Sequence, residues 1–121
     1  EILSEIEVDS PGRKKGIFVS NDTHASILVN LLVRKYGKLP EDYLIVGFDD
    51  SPASRNAIFP ISTVAQQIDV LATEAVKLLV EQIEEHKNSK HTPVSEPVHK
   101  MITPVLIRRE TTERDLLAED D

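Results

Sequence analysis

The sequence predicts an α/β protein organised on a parallel sheet, and three observations carry that expectation. The run "YLIVGF" at 43–48 is continuously apolar, the pattern of a strand covered on both faces. A second short run, "GIFVS" at 16–20, is β-branched and aromatic. Between them, "HASILVNLLVRKYG" repeats its apolar residues at helical spacing. Strand, helix and strand within about 33 residues is the length of a βαβ unit, whose strands run parallel with a right-handed crossover.

Each element has local causes. Asn21, Asp22 and Thr23 offer side-chain oxygens that can cap the free N–H groups of a starting helix. Ile27, Leu28, Leu31, Leu32 and Tyr36 form its apolar face, and Val29 and Val33 widen that face towards a second neighbour. Gly37 and Pro40 stop it. After a turn at Pro52, "NAIFPISTV" holds a strand expected at 61–65. A second helix is expected from about Ile68 to Glu85, with Ile68, Leu71, Ala72, Ala75, Leu78, Leu79 and Ile83 on its apolar side. The polar stretch "HKNSKHTPVSEPVHK" reads as a loop. "MITPVLIRR" reads as a last strand, with Pro104 marking it as an edge or crossing segment. The acidic tail "ETTERDLLAEDD" is expected to fray.

Composition narrows the function classes. The 121 residues fit one domain or part of one. The formal charge of −7 opposes direct nucleic-acid binding by this segment, because phosphate recognition relies on a basic surface. Arg13-Lys14-Lys15 is too short to change that and reads as a solvated loop. His24, His86, His91 and His99 lack metal-ligand spacing, and there is no cysteine. No metal or cofactor is expected. No apolar run approaches the ~20 residues of a membrane span.

Two parallel strands of one βαβ unit end on the same sheet edge, where open α/β sheets bind ligands. The first ends in Ser20-Asn21-Asp22 and the second in Asp49-Asp50-Ser51. Asn21 and Asp49 hold equivalent positions, so an amide and a carboxylate face one crevice. A carboxylate accepts from vicinal hydroxyls, and an amide both donates and accepts, which suits a polyhydroxyl ligand. The competing reading is local: Asn21 or Asp22 caps the helix, and Asp50 opens a turn before Pro52. For Asp22 and Asp50 the local roles are favoured, and for Asn21 with Asp49 ligand contact is favoured. A third reading makes the acidic cluster a magnesium site of a phosphoryl-transfer domain, but it lacks an obvious partner Lys or Thr.

The ordered set "SND", "GKLPEDYLIVGFDDSP", "STVAQ" and "RRETT" resembles the C-terminal part of LacI/GalR-type sugar-responsive repressors, from Gly16 to Thr112. The resemblance implies a type I periplasmic-binding-protein-like domain, of which this chain supplies the second half only. Residues 1–15 would then be an N-terminal segment and 16–112 the effector-binding part. Hinge crossings would lie near 65–67 and in the last strand, with 113–121 an acidic tail. It also implies effector contacts from Asn21 and Asp49, with Gln66 at the hinge and Ile68 at a position often used for stacking. A dimer interface would use the first helix at Val29 and Val33, together with Asn56, Ala57 and Ile58. The second helix would pack on the missing lobe, so an isolated piece would expose its apolar face or cover it by self-association. The implied protein is a non-enzymatic, cytoplasmic homodimer. It would reach operator DNA through a separate N-terminal domain absent from this sequence, and its effector would be a sugar, L-arabinose being the first expectation. The rival is a periplasmic sugar-binding protein of a transport system. "FDD" and "RRETT" favour the repressor.

Overall fold

The computed structural model describes residues 13–88 and 96–117, and the N-terminal stretch 1–12 lies outside them. Four strands form one sheet in the order β1-β2-β3-β4: Lys15–Phe18, Tyr43–Phe48, Ser62–Ala65 and Val105–Ile107. Four helices intervene or follow: α1 Asp22–Tyr36, α2 Pro52–Asn56, α3 Ile68–Asn88 and α4 Glu110–Leu117. β1 pairs parallel to β2 with Phe18 opposite Val46, and β2 pairs parallel to β3 with Val46 opposite Ser62.

α1 begins where a capping group is available. Asn21 is extended (φ −157°, ψ 167°) and its Oδ1 accepts from the His24 N–H at 2.8 Å. It ends at Gly37, whose φ of 76° few residues with a Cβ would tolerate, and the Gly37 N–H closes on the Val33 carbonyl. Arg34 and Lys35 sit in the last turn, where the helix dipole favours cations. The helix buries Ala25, Leu28, Val29 and Leu32 against Tyr43 and Ile45 of β2, Leu39 and Ile61. Fully burying a side chain such as Leu32 or Ile45 contributes about 1.5–3 kcal/mol.

Val29 is therefore a core residue, 2% exposed, and cannot serve a dimer contact. Val33 also leans on the core. The expected helix face is rotated: Ile27, Leu31 and Tyr36 of α1 are left exposed. Strand β2 alternates buried Tyr43, Ile45 and Gly47 with half-buried Leu44, Val46 and Phe48, so the described elements cover one of its faces fully. Phe18 is exposed on β1 and meets Phe48 edge-on at 6.4 Å between ring centroids.

The tail differs from expectation. Glu110–Leu117 is helical, with a kink at Glu113 (φ −122°, ψ 31°). Thr111 is fully buried, accepting from the Ser62 N–H at 2.9 Å and donating to the Ile45 carbonyl at 2.7 Å. Arg114 donates to the carbonyls of Leu39, Pro40 and Glu41 in the loop before β2 and to that of Tyr43, the first residue of the strand. Long-range hydrogen bonds of this kind leave no trace in local periodicity. Lys15 likewise belongs to β1, its ammonium 5.0 Å from the centre of the Tyr43 ring, and His86 to α3. The last strand is shorter than expected, beginning just after Pro104, and lies at the sheet edge.

The chain divides into two compact units, one running to Ala65 and resuming at Leu106, the other spanning Gln66–Val105. In the second unit, α3 buries none of its 21 residues, and Leu71, Val76, Leu79, Val80 and Ile83 are exposed. Gln67 has a positive φ of 56°, and its Nε2 donates to the Thr103 carbonyl. Glu74 pairs with Lys100.

Candidate functional site

The carboxyl ends of β1 and β2 gather the residues with chemistry. From the aligned pair Phe18 and Val46, Asn21 and Asp49 each lie three residues on. Both are half-buried. Asn21 spends its Oδ1 on the helix cap and retains two amide donors on Nδ2.

Asp49 and Asp50 carry positive φ angles, 111° and 55°. Such conformations cost a non-glycine residue on the order of 1–3 kcal/mol, and surrounding contacts must hold them. The Asp49 N–H donates to the Val64 carbonyl at 3.0 Å, carrying the β2–β3 pairing one residue past the strand. The Asp50 N–H donates to Thr63 Oγ1 at 3.3 Å, and the Ser51 N–H to Asp22 Oδ2 at 2.7 Å. Three successive amides are thus fixed.

Asp22 is the hub. Its side chain is fully enclosed, with Oδ1 accepting from Thr63 Oγ1 at 2.6 Å. The Asp22 carboxylate lies against Gly47, where a Cβ would stand 2.3 Å from Oδ1 and 3.3 Å from the Asp22 Cα. Glycine is required at 47 for space, in the centre of a strand that otherwise favours larger residues. A buried carboxylate is tolerable only with its hydrogen bonds made, and here each oxygen has one. Asp22 is therefore structural, as the local reading favoured, but Asn21 is the cap. Sequence pattern could not distinguish the two, because the partners of Asp22 lie 29 and 41 residues away.

Asp50 is engaged elsewhere. Its Oδ1 meets the Arg109 guanidinium at 2.6 Å, with Arg55 3.5 Å from Oδ2. Arg109 also donates to Ser54 Oγ at 2.9 Å and to the Ile61 carbonyl at 3.1 Å. Removing a partner of a mostly enclosed pair leaves a desolvated charge, so this clamp holds α2 and the start of β3 firmly. Two carboxylates of the acidic cluster are thus committed to protein partners, which weighs against the magnesium reading. Among the described residues, no group of three or more His, Cys, Asp or Glu could hold a metal ion. No helix among them is long and apolar enough to cross a membrane.

The remaining expected residues fall in both units. Gln66 and Ile68 belong to the second, where Gln66 is half-buried and Ile68 is 62% exposed at the first position of α3. Of the expected interface residues, Asn56 is exposed, Ala57 half-buried, and Ile58 80% exposed just beyond α2. Sequence reasoning missed Thr63 and Arg109. Thr63 was legible only as part of a β-rich run, and Arg109 as one of two arginines ending the last strand.

A model of the periplasmic binding protein-like domain matches residues 3–112. Among curated proteins, the chain is 32% identical over 100 residues to the ribose operon repressor of Bacillus subtilis (strain 168), which covers 83% of this chain and 29% of that one. It is 35% identical over 95 residues to the HTH-type transcriptional repressor PurR of Haemophilus influenzae (strain PittGG), covering 78% of this chain and 27% of that one. Among solved structures, the transcriptional regulator CelR in complex with cellobiose superposes with a TM-score of 0.66 at 27% identity, over 79% of this chain and 27% of that one. The lac repressor dimer bound to operator and an anti-inducer gives a TM-score of 0.65 at 23% identity, over 80% and 31%, a likeness of fold. The chain spans less than a third of the length of these curated relatives. None of these four names arabinose.

Proposed function

Because the chain belongs to the periplasmic binding protein-like domain family, we propose that it is the C-terminal part of the effector-binding domain of a LacI-type, sugar-responsive transcriptional repressor. The relatives named above are transcriptional repressors and regulators. One carries ribose in its name and one is a cellobiose complex, which supports a sugar as the effector class. The observation that carries the reading is the placement of Asn21 and Asp49 at the ends of two adjacent parallel strands, with Asp49 held in a strained turn.

In this reading the Asp49 carboxylate accepts from sugar hydroxyls and the Asn21 Nδ2 donates to a ring or hydroxyl oxygen. A bond to the carboxylate contributes about 1.5–3 kcal/mol and a neutral one from Asn21 about 0.5–1.5 kcal/mol, so together they fall short of the roughly 8 kcal/mol of micromolar affinity. Contacts beyond these two residues supply the rest. The dimer surface runs through Asn56, Ala57 and Ile58 and is continued by Ile27 and Leu31 in place of Val29. Effector binding favours one domain arrangement over another and so changes how a separate DNA-binding domain meets its operator. The chemistry is binding alone, and no residue acts as a catalyst.

Calorimetric titration of the full-length protein with D-ribose, cellobiose and L-arabinose tests this. Saturable binding of one sugar, weakened at least tenfold by Asp49→Ala, is the expected result. A folded dimer that binds none of them, or binds unchanged after Asp49→Ala, overturns it.

A further inference from the structure

We infer that Asp22 and Thr63 are positioning residues for Asp49: they hold the turn that presents its carboxylate and so set sugar affinity without touching the sugar. The inference rests on the reading of Asp49 as a sugar contact.

Asp49 and Asp50 lie in backbone regions that a free turn would leave. Their retention needs restraint on both sides. Upstream, the Asp49 N–H is tied to Val64. Downstream, the next two amides go to side chains, Asp50 to Thr63 Oγ1 and Ser51 to Asp22 Oδ2. Thr63 Oγ1 and Asp22 Oδ1 are bonded to each other at 2.6 Å, so the two restraints form one unit. Both side chains belong to residues with 0–1% exposure, away from competing water. The hydroxyl of Thr63 has one proton, and the carboxylate takes it; its lone pairs therefore face the Asp50 N–H. Each atom has a direction, and the turn is left one conformation. The missing Cβ at Gly47 is what lets the carboxylate reach this position. A ligand meeting a preorganised carboxylate loses less in ordering it, so the restraint appears as affinity.

The separating substitution is Thr63→Val, which keeps the shape and removes both bonds; Thr63→Ser keeps the hydroxyl. In the full-length protein, Thr63→Val should accelerate hydrogen exchange at the Asp50 and Ser51 amides at least tenfold relative to those of Ile45 and Val46. It should also weaken binding of D-ribose, cellobiose or L-arabinose, whichever the unaltered protein takes, by tenfold or more, with Thr63→Ser restoring both to within about threefold. A lower melting temperature with exchange in the turn and affinity both unchanged would show a merely structural role and overturn the inference. Should Thr63→Val fail to fold, Asp22→Asn, which keeps the shape but offers one acceptor to two donors, takes its place with the same expectations. If Asp49→Ala weakens binding and Thr63→Val does not, the positioning role fails alone. If Asp49→Ala has no effect, or if the folded protein binds none of the three sugars, the underlying sugar-contact reading fails and takes the inference with it.

Discussion

Adding one methyl group at Gly47 should unlock the site from beneath. The alanine Cβ would lie 2.3 Å from Asp22 Oδ1, well inside contact distance, and 3.4 Å from the Ala25 Cβ. Neither neighbour can retreat easily, because Ala25 is fully buried and the carboxylate is bonded to Ser51 and Thr63. The carboxylate must move, and both of its bonds go with it. Hydrogen bonds to a charged group contribute about 1.5–3 kcal/mol each, so the loss is about 3–6 kcal/mol. Against this, replacing glycine restricts the unfolded chain and returns about 0.4–1 kcal/mol. A net destabilisation of about 2–5 kcal/mol is expected, read as a lower urea midpoint with unchanged slope. The cause is separable in a double-mutant cycle. In an Asp22→Ala background the close oxygen is absent, and Gly47→Ala should cost less than about 1 kcal/mol. A Gly47→Ala protein as stable as its parent, or an equal cost in both backgrounds, would refute the reasoning.

Other consequences can be checked as directly. Thr111→Val keeps shape but strands the buried Ser62 N–H and Ile45 carbonyl, and should destabilise by about 2–4 kcal/mol in urea denaturation. Ile58→Arg changes a side chain that is 80% exposed, so stability should move by less than about 0.5 kcal/mol, and if the proposed dimer surface holds, sedimentation of the full-length protein shifts from dimer towards monomer. The Glu74 carboxyl is held below its ordinary range chiefly by the hydrogen bond from Lys100, against an opposing effect of desolvation, with smaller help from the charges of Lys100 and Lys77. A lowered value means that the pair stabilises the fold above the ordinary carboxylate range and ceases to do so as pH falls through the lowered value. Lys100→Met should therefore move the Glu74 titration upward by NMR, and its effect on stability should be present at neutral pH and vanish in acid.

What the sequence made legible were the features written in neighbouring residues. β2 fell at 43–48 as its apolar run indicated, and α1 lay between a polar cap and Gly37. The parallel pairing followed from the length of the strand-helix-strand unit and its crossover. What escaped was written across long separations. Periodicity marked Val29 as apolar but could not say which neighbour would cover it. Burial of Val29 and exposure of Ile27 depend on where β2 lies, not on the helix itself. The tail looked acidic and loose because the carbonyls awaiting Arg114 are more than 70 residues upstream. At the site, "SND" and "FDD" pointed to the right edge of the sheet. Which carboxylate was buried, which was paired and which was strained depended on Thr63 and Arg109, residues with no local signature.

The bond from Arg109 to Asp50 joins positions 59 residues apart, with the whole of Gln66–Val105 between them. A ribosome adding about 5–20 residues per second exposes Asp50 several seconds before its guanidinium exists. During that interval the nascent βαβ unit has its apolar core but neither the Thr111 stitch nor the Arg109 clamp. The backbone of the turn has its partners Asp22, Thr63 and Val64 early, but the bracing of Asp50 and Ser54 by Arg109 is a late event in synthesis, and a translational pause within Gln66–Val105 would prolong the time for which α2 lacks it.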